Sequence, residues 1–150
     1  MTSQEIEKIL ELLFRKRPGP YDPPTQEDWK HLAQKFGTEF NDDFLRFMEL
    51  IGRFRFRGEI LNVARHGNVG RNDSIETSYD FEMEHGRWNE DMIPFYSIGN
   101  GDYFCLSASG AKTSPVFYAY HEDGRVERYS DTFENWITQL KTFFSHERGN

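Results

Sequence analysis

One cysteine, Cys105, stands in the whole chain, so no internal disulfide can form and a cysteine-rich zinc site is excluded. No apolar run approaches the roughly 20 residues that a membrane-crossing helix needs. Near the start, Glu5, Glu7, Lys8 and Glu11 interrupt any signal-peptide core, and a cytoplasmic location is the expectation. Positive charge is scarce: 18 Lys and Arg stand against 25 Asp and Glu, a net charge of −7. Polyphosphates and anionic bilayers both require a basic footprint, so neither direct nucleic-acid binding nor membrane binding is expected. No internal repeat and no low-complexity tract is visible.

Aromatic residues are what the chain has in plenty, with 14 Phe, 7 Tyr and 3 Trp among 150 residues. Large rings supply much buried area each, and a chain of this length buries about 70% of its unfolded surface. A folded core is expected despite a charged fraction of 29%. The pattern predicts one α+β domain over residues 1–150. It has N-terminal helices, a central, mostly antiparallel sheet and a C-terminal helix packed on that sheet. Residues 1–17 read as an accessory helix and 18–24 as a proline-rich connection.

Ile6, Ile9, Leu10, Leu13 and Phe14 recur at helical spacing. Four of the six prolines, in Pro18-Gly19-Pro20-Tyr21-Asp22-Pro23-Pro24, then stop that helix. Thr25 and Asp28 resemble a capping box ahead of Trp29, Leu32, Ala33 and Phe36, and Gly37 is a natural stop. Asn41 or Asp42 caps a third helix carrying Phe44, Phe47, Met48 and Ile51, with Gly52 at its end. Asp131 with Glu134 caps the last, whose Phe133, Trp136, Ile137, Leu140 and Phe144 share one face. Such stripes are packing faces far more often than cofactor boxes.

Arg53-Phe54-Arg55-Phe56-Arg57 alternates with period two and, with Ile60, Leu61 and Val63, predicts one or two strands. Gly67, Asn68 and Gly70 predict a loop. Strands are predicted over 103–107 and 116–121, and Glu122-Asp123-Gly124 makes a hairpin turn into 125–129. Residues 75–84 stay open. Ile75, Thr77, Tyr79, Phe81 and Met83 alternate as in a strand, yet Asp73 followed by Glu76 resembles a helix start, and Ile75, Tyr79 and Met83 lie four apart.

Chemistry is harder to find. His31, His66, His85, His121 and His146 stand singly, without the spacing that brings two ligands onto one face. His121, beside Glu122 and Asp123, comes nearest to a ligand group, but a polar hairpin tip accounts for it, and no metal is expected. Ser107-Ala108-Ser109-Gly110 lacks the Gly-x-Ser-x-Gly elbow. Cys105, between Phe104 and Leu106, reads as a small buried hydrophobe. Gly67-Asn68-Val69-Gly70 lacks the Gly-Lys-Ser/Thr ending of a phosphate loop. No catalytic residue and no cofactor are assigned, and no enzymatic activity is expected.

Charge is unevenly placed. Residues 46–71 hold six arginines against two glutamates, and 73–91 hold seven acids against Arg87 alone. Either the two segments neutralise each other across the fold, or the second presents an acidic face to a basic partner. That face would comprise Glu76, Asp80, Glu82, Glu84, Glu90 and Asp91, with Tyr79, Phe81 and Trp88 interleaved; Tyr79 and Trp88 join the acids as candidate partner-binding residues.

The best-formed stretch is Ile93-Pro94-Phe95-Tyr96-Ser97-Ile98-Gly99-Asn100-Gly101-Asp102-Tyr103-Phe104-Cys105-Leu106. Gly99 and Gly101 permit positive φ in a tight turn, Asn100 tolerates it, and Asp102 can bond nearby backbone N–H groups, a structural rather than catalytic role. This stretch resembles the signature of the SUKH superfamily, which includes bacterial toxin-immunity proteins and fungal cell-wall-assembly regulators. Residues 115–121 are similar to the family's next strand and 130–136 to its closing helix, so the likeness spans roughly 25–140. Two departures are Asn41-Asp42 where a proline is usual and Gly52-Arg53 where Gly-Gly is common. The resemblance implies a SUKH-like α+β fold with 75–84 helical. It also implies a protein partner, in the first place a cognate toxin domain, often a nuclease, whose functional surface is masked. The alternatives are a regulatory adaptor for a host protein or small ligand, and a small hydrolase obscured by divergence.

Overall fold

The computed structural model describes residues 1–64, 73–110, 112–113 and 115–148, with side chains through 144. His66, the loop expected at Gly67, Asn68 and Gly70, and the His146 side chain lie outside the described residues. Helices α1 (Ser3–Leu13), α2 (Gln26–Phe36) and α3 (Asp42–Leu50) come first, followed by a 3-10 turn (Ile51–Arg53) and the short β1 (Glu59–Ile60). Then follow α4 (Ile75–His85), β2 (Met92–Ser97), β3 (Tyr103–Ser107), β4 (Val116–Ala119), β5 (Val126–Ser130) and α5 (Phe133–Arg148). The strands form one sheet in the order β1-β2-β3-β4-β5, every neighbouring pair antiparallel. The architecture is α+β, as expected.

Local chemistry places most helix ends. Thr2 with Glu5 and Thr25 with Asp28 form capping boxes at α1 and α2, each satisfying N–H groups that a helix start leaves orphaned. Gly37 ends α2 in the left-handed region, at φ 61°. Asn41, not Asp42, caps α3, which gives way at Ile51 to the 3-10 turn before Gly52 is reached. At α5 the expected Asp131 cap is corrected: the Thr132 hydroxyl accepts the Asn135 N–H at 3.0 Å, one residue further on.

The helices pack on one face of the sheet. Ile6 and Leu10 of α1, Phe44 and Phe47 of α3, Ile93 and Phe95 of β2, Phe104 and Leu106 of β3, and Phe133, Trp136 and Ile137 of α5 share one core. Trp136 sits at its centre, with ring centroids 5.0 Å from Phe95, 5.5 Å from Phe47 and 5.6 Å from Phe104. Each fully buried Phe of this kind stabilises by about 1.5–3 kcal/mol relative to exposure. The register of β2 against β3 slips between Pro94 and Tyr96. Such a bulge lets two consecutive side chains, Phe95 and Tyr96, both enter the core. The opposite face carries a smaller cluster, Met92, Cys105 and Ala119, covered by Trp88.

Two strand expectations are corrected. Residues 53–57 are not a sheet strand: Phe54 makes an isolated antiparallel bridge with Lys16, and regular pairing is limited to Glu59 and Ile60. The alternation still has its physical meaning, since Phe54 and Phe56 pack into the core while the arginines between them are exposed. The strand expected over 116–121 stops at Ala119, where the chain turns through Gly124, at φ 72°.

Residues 75–84, left open by periodicity, are helical. The Ser74 hydroxyl accepts the Thr77 N–H at 3.0 Å. Just before it, Asn62 clasps the entry: its N–H donates to the Asp73 carbonyl at 2.8 Å and its carbonyl accepts from Ile75 at 2.9 Å. The cap is therefore Ser74, not the expected Asp73 with Glu76. Ile75, Ser78, Tyr79 and Glu82 face inward at helical spacing.

Candidate protein-binding face

The α4 surface carries most of the acidic residues singled out above, and the structure divides them into two groups. One group is tied down. Glu76 Oε2 lies 2.7 Å from His31 Nε2, and Lys35 donates to Asp80 Oδ1 at 2.7 Å, so α2 supplies the counter-charges. Among the described residues no ion pair joins the arginines of 46–57 to the acids of 73–91; Arg65 and Arg71, the other arginines of the basic segment, lie outside the described residues. Tyr79 stacks edge-on against Phe36, with centroids 4.8 Å apart, and its hydroxyl donates to the Glu90 carbonyl at 2.8 Å. Burial, then the nearby Glu90 charge, raises the Tyr79 phenol pKa.

Glu82 accepts a long 3.4 Å hydrogen bond from Tyr103, whose phenol is pushed far up by burial and then by that carboxylate. Trp88 donates from Nε1 to the Met92 carbonyl at 3.0 Å and packs edge-on against Tyr103. Asp91 clamps the loop after β3: it accepts from the Ser107 hydroxyl, from the Ser109 N–H at 2.9 Å and from the Ser109 hydroxyl at 3.0 Å. Glu82, Trp88 and Asp91 thus hold the segment after α4 on the outer face of the sheet.

The second group faces solvent. At 100° per residue, Glu84 lies at the crest of α4, with Asp80 on one flank and Phe81 on the other. Phe81 is 55% exposed and Met83 41% exposed, both large apolar groups that a strand pattern would have buried. The Phe81 ring stacks on His85 at 4.4 Å, and His85 Nδ1 lies 3.0 Å from the Phe81 carbonyl. The Glu90 side chain is exposed as well. Phe81, though named among the interleaved aromatics, and Met83 were not counted as partner-binding residues, because periodicity left 75–84 open between strand and helix. A helical wheel through Ile75, Ser78 and Glu82 places Phe81 outside.

Asp102 and Cys105, outside α4, are built into the fold. Asp102 accepts the His121 N–H at 2.9 Å and the Tyr118 hydroxyl at 2.7 Å, and its Oδ1 lies 2.6 Å from His121 Nδ1. It therefore bonds the far end of β4 rather than the turn formed by Gly99, Asn100 and Gly101. The turn itself is closed by the Asp102 N–H donating to Asn100 Oδ1 at 3.0 Å, with Gly99 at φ 103° and Gly101 at φ 97°. Cys105 is wholly buried, and burial drives its thiol pKa well up, the reverse of an activated nucleophile. Among the described residues no three His, Cys, Asp or Glu side chains gather in a way that could hold a metal ion. Among them, too, no helix is long and apolar enough to cross a membrane.

Comparison with known proteins accords with this fold. A crystal structure of a protein from Pseudomonas syringae pv. tomato superposes with a TM-score of 0.64 over 91% of this chain and 96% of that one, at 14% identity, a likeness of fold alone. No curated protein matches. The family model SUKH_5, described as SMI1-KNR4 cell-wall, matches residues 4–142, a span from α1 into α5 that takes in the α4 ridge, the Gly-Asp turn and the sheet. The chain belongs to this SMI1-KNR4 family of the SUKH superfamily.

Proposed function

We propose that the chain is a non-enzymatic binding protein that neutralises a cognate bacterial toxin, a nuclease by family precedent, by masking its functional surface, with α4 and the segment after it as the contact face. The observation that carries this reading is Phe81, 55% exposed on a helix whose other outward positions include Asp80 and Glu84. An exposed aromatic anchor ringed by charge is the usual make-up of a protein–protein hot spot, and an acidic rim steers a basic surface such as a nuclease's substrate groove. Of the residues assigned to this face, Glu84 and Glu90 would act as rim charges. Glu76, Tyr79, Asp80, Glu82, Trp88 and Asp91 would chiefly hold the ridge in place. Family membership supports the protein-binding role.

The test is co-expression with toxin domains encoded beside this chain's gene, scored by rescue of growth and by calorimetry on the purified pair. Rescue lost in Phe81→Ala, with the fold retained, is the expected result. If no neighbouring toxin binds or is neutralised, the immunity reading fails. The cell-wall description of the matched family favours a second reading, a regulatory adaptor for a host protein or small ligand; one defined housekeeping protein bound stoichiometrically through α4 would favour it.

A further inference from the structure

Among the described residues, arginines gather where residues 15–17 meet 53–57. Residues 15–17 pair antiparallel with 53–55: the Arg55 N–H donates to the Arg15 carbonyl and the Arg17 N–H to the Arg53 carbonyl, each at 2.8 Å. The Lys16–Phe54 bridge lies between them. Side chains alternate along such a ladder. Phe54 and Phe56 enter the core, so Arg53, Arg55 and Arg57 turn outward, with Arg15 and Arg17 opposite Arg55 and Arg53. All five are exposed. Two hollows open among them. One of about 210 Å³ lies between Phe14, Arg15, Arg55, Arg57 and Phe144, and one of about 560 Å³ runs from Lys16 and Arg17 along the 18–21 turn to Arg53.

Carboxylates touch only the margins, with Glu7 4.0 Å from Arg53 and Glu11 3.2 Å from Lys16. Among the described residues none lies within ion-pair distance of Arg15, Arg17, Arg55 or Arg57. Yet Lys35, Arg46, Arg125 and Arg128 all receive a partner from the chain's acids. Gathered like charges repel one another, and among the described residues only Glu7 and Glu11, at the margins, offset that repulsion.

We propose that this arginine ladder docks an extended acidic segment of a partner protein. Alternate residues of an extended chain repeat at about 6.6–6.8 Å, so a segment with an acid at every second position matches the spacing of Arg53, Arg55 and Arg57. Guanidinium forks pair with carboxylates bidentately, and the half-buried Phe14 offers apolar contact to the side chains between. A polyphosphate meets the repulsive field of the −7 chain along its whole length, whereas a short acidic segment meets the local positive field. The site is separate from the α4 ridge and does not depend on the toxin reading.

Fluorescence anisotropy with a labelled peptide bearing glutamate at every second residue tests it, with a single-stranded DNA oligonucleotide of equal charge as the second probe. The intact chain binds the peptide, more weakly as salt rises, and the double variant Arg53→Gln/Arg55→Gln loses about tenfold or more. Arg57→Gln, outside the paired ladder, loses a smaller factor in the same direction, and Phe81→Ala leaves peptide binding unchanged. The proposal is overturned if the peptide does not bind, if neither arginine variant weakens it, or if the oligonucleotide binds more tightly than the peptide.

Discussion

Asp102 holds His121 twice, accepting its backbone N–H at 2.9 Å and lying 2.6 Å from ring Nδ1. One carboxylate thereby fastens the Gly-Asp turn before β3 to the end of β4. Burial pushes the Asp102 pKa up, but the hydrogen bonds from the His121 N–H, the His121 ring and the Tyr118 hydroxyl together outweigh it and hold the group below its usual value. The hydrogen bond to Asp102 raises the pKa of His121, against a smaller opposing effect of burial.

These shifts contribute a pH dependence to stability. The His121 contribution is fully present below the unfolded histidine value of about 6.5 and is lost as pH rises through the raised folded value. The Asp102 contribution is present above the unfolded aspartate value of about 3.9 and is lost as pH falls through the depressed folded value. Stability from the pair therefore peaks between about pH 4 and pH 6.5. Urea midpoints measured across this range should fall on the alkaline side, and His121→Gln should flatten that fall. An unchanged slope in the variant would show that the pair does not titrate as a unit.

Asp102→Ala should cost about 1–3 kcal/mol, because it strands the Tyr118 hydroxyl and the His121 N–H without their acceptor. Equilibrium denaturation measures the loss, and a cost below about 0.5 kcal/mol, the level of an ordinary surface substitution, would argue against the clamp.

Trp136→Ala should destabilise by about 3–5 kcal/mol, a large share of the total stability of a small domain. The ring joins α5 to Phe47 of α3, Phe95 of β2 and Phe104 of β3, so its loss opens a cavity where helices and sheet meet. A near-native urea midpoint would place the core elsewhere.

Gly52→Ala should cost about 1–3 kcal/mol by overpacking. A Cβ there runs into the Tyr21 ring, whose hydroxyl donates to the Met48 carbonyl at 3.1 Å and whose phenol pKa burial raises to about 12. The readout is loss of stability together with a Tyr21 phenol that titrates closer to the ordinary value near 10. Retention of both would mean that the proline-rich connection yields freely.

Phe81→Ala should change stability by no more than about 0.5 kcal/mol, since the ring is half exposed and touches chiefly His85. Tyr79→Ala, two residues away, should cost about 1–3 kcal/mol through the lost packing on Phe36 and the lost hydrogen bond to Glu90. Equal costs in thermal denaturation would contradict the helical orientation of α4.

Helices were legible wherever a capping side chain and an apolar stripe agreed, as at Thr25 with Trp29 and Leu32. The sheet was legible where turn residues bounded aromatic runs, as at β3 and at Gly124. The binding ridge was legible only in composition. Its acids were visible, but which were spent on His31 and Lys35 depends on α2 lying against α4, contacts between residues 45 apart in the chain. Phe81 was named among the aromatics, yet its exposure follows only once α4 is known to be a helix.

The α+β class and most element ends follow from local chemistry, because caps, turns and periodicity act over a few residues and the chain carries them openly; the family was visible as a resemblance of residues 93–106 to its signature. Tertiary structure decided the rest. It took the alternating arginine and phenylalanine run out of the sheet and paired it with residues 15–17, and it made a helix of a segment that alternates like a strand. It also gave Glu76 and Asp80 of the acidic ridge their partners from α2, His31 and Lys35. Each outcome turns on partners far away in sequence, and periodicity holds no information about which distant backbone or charge comes to lie alongside.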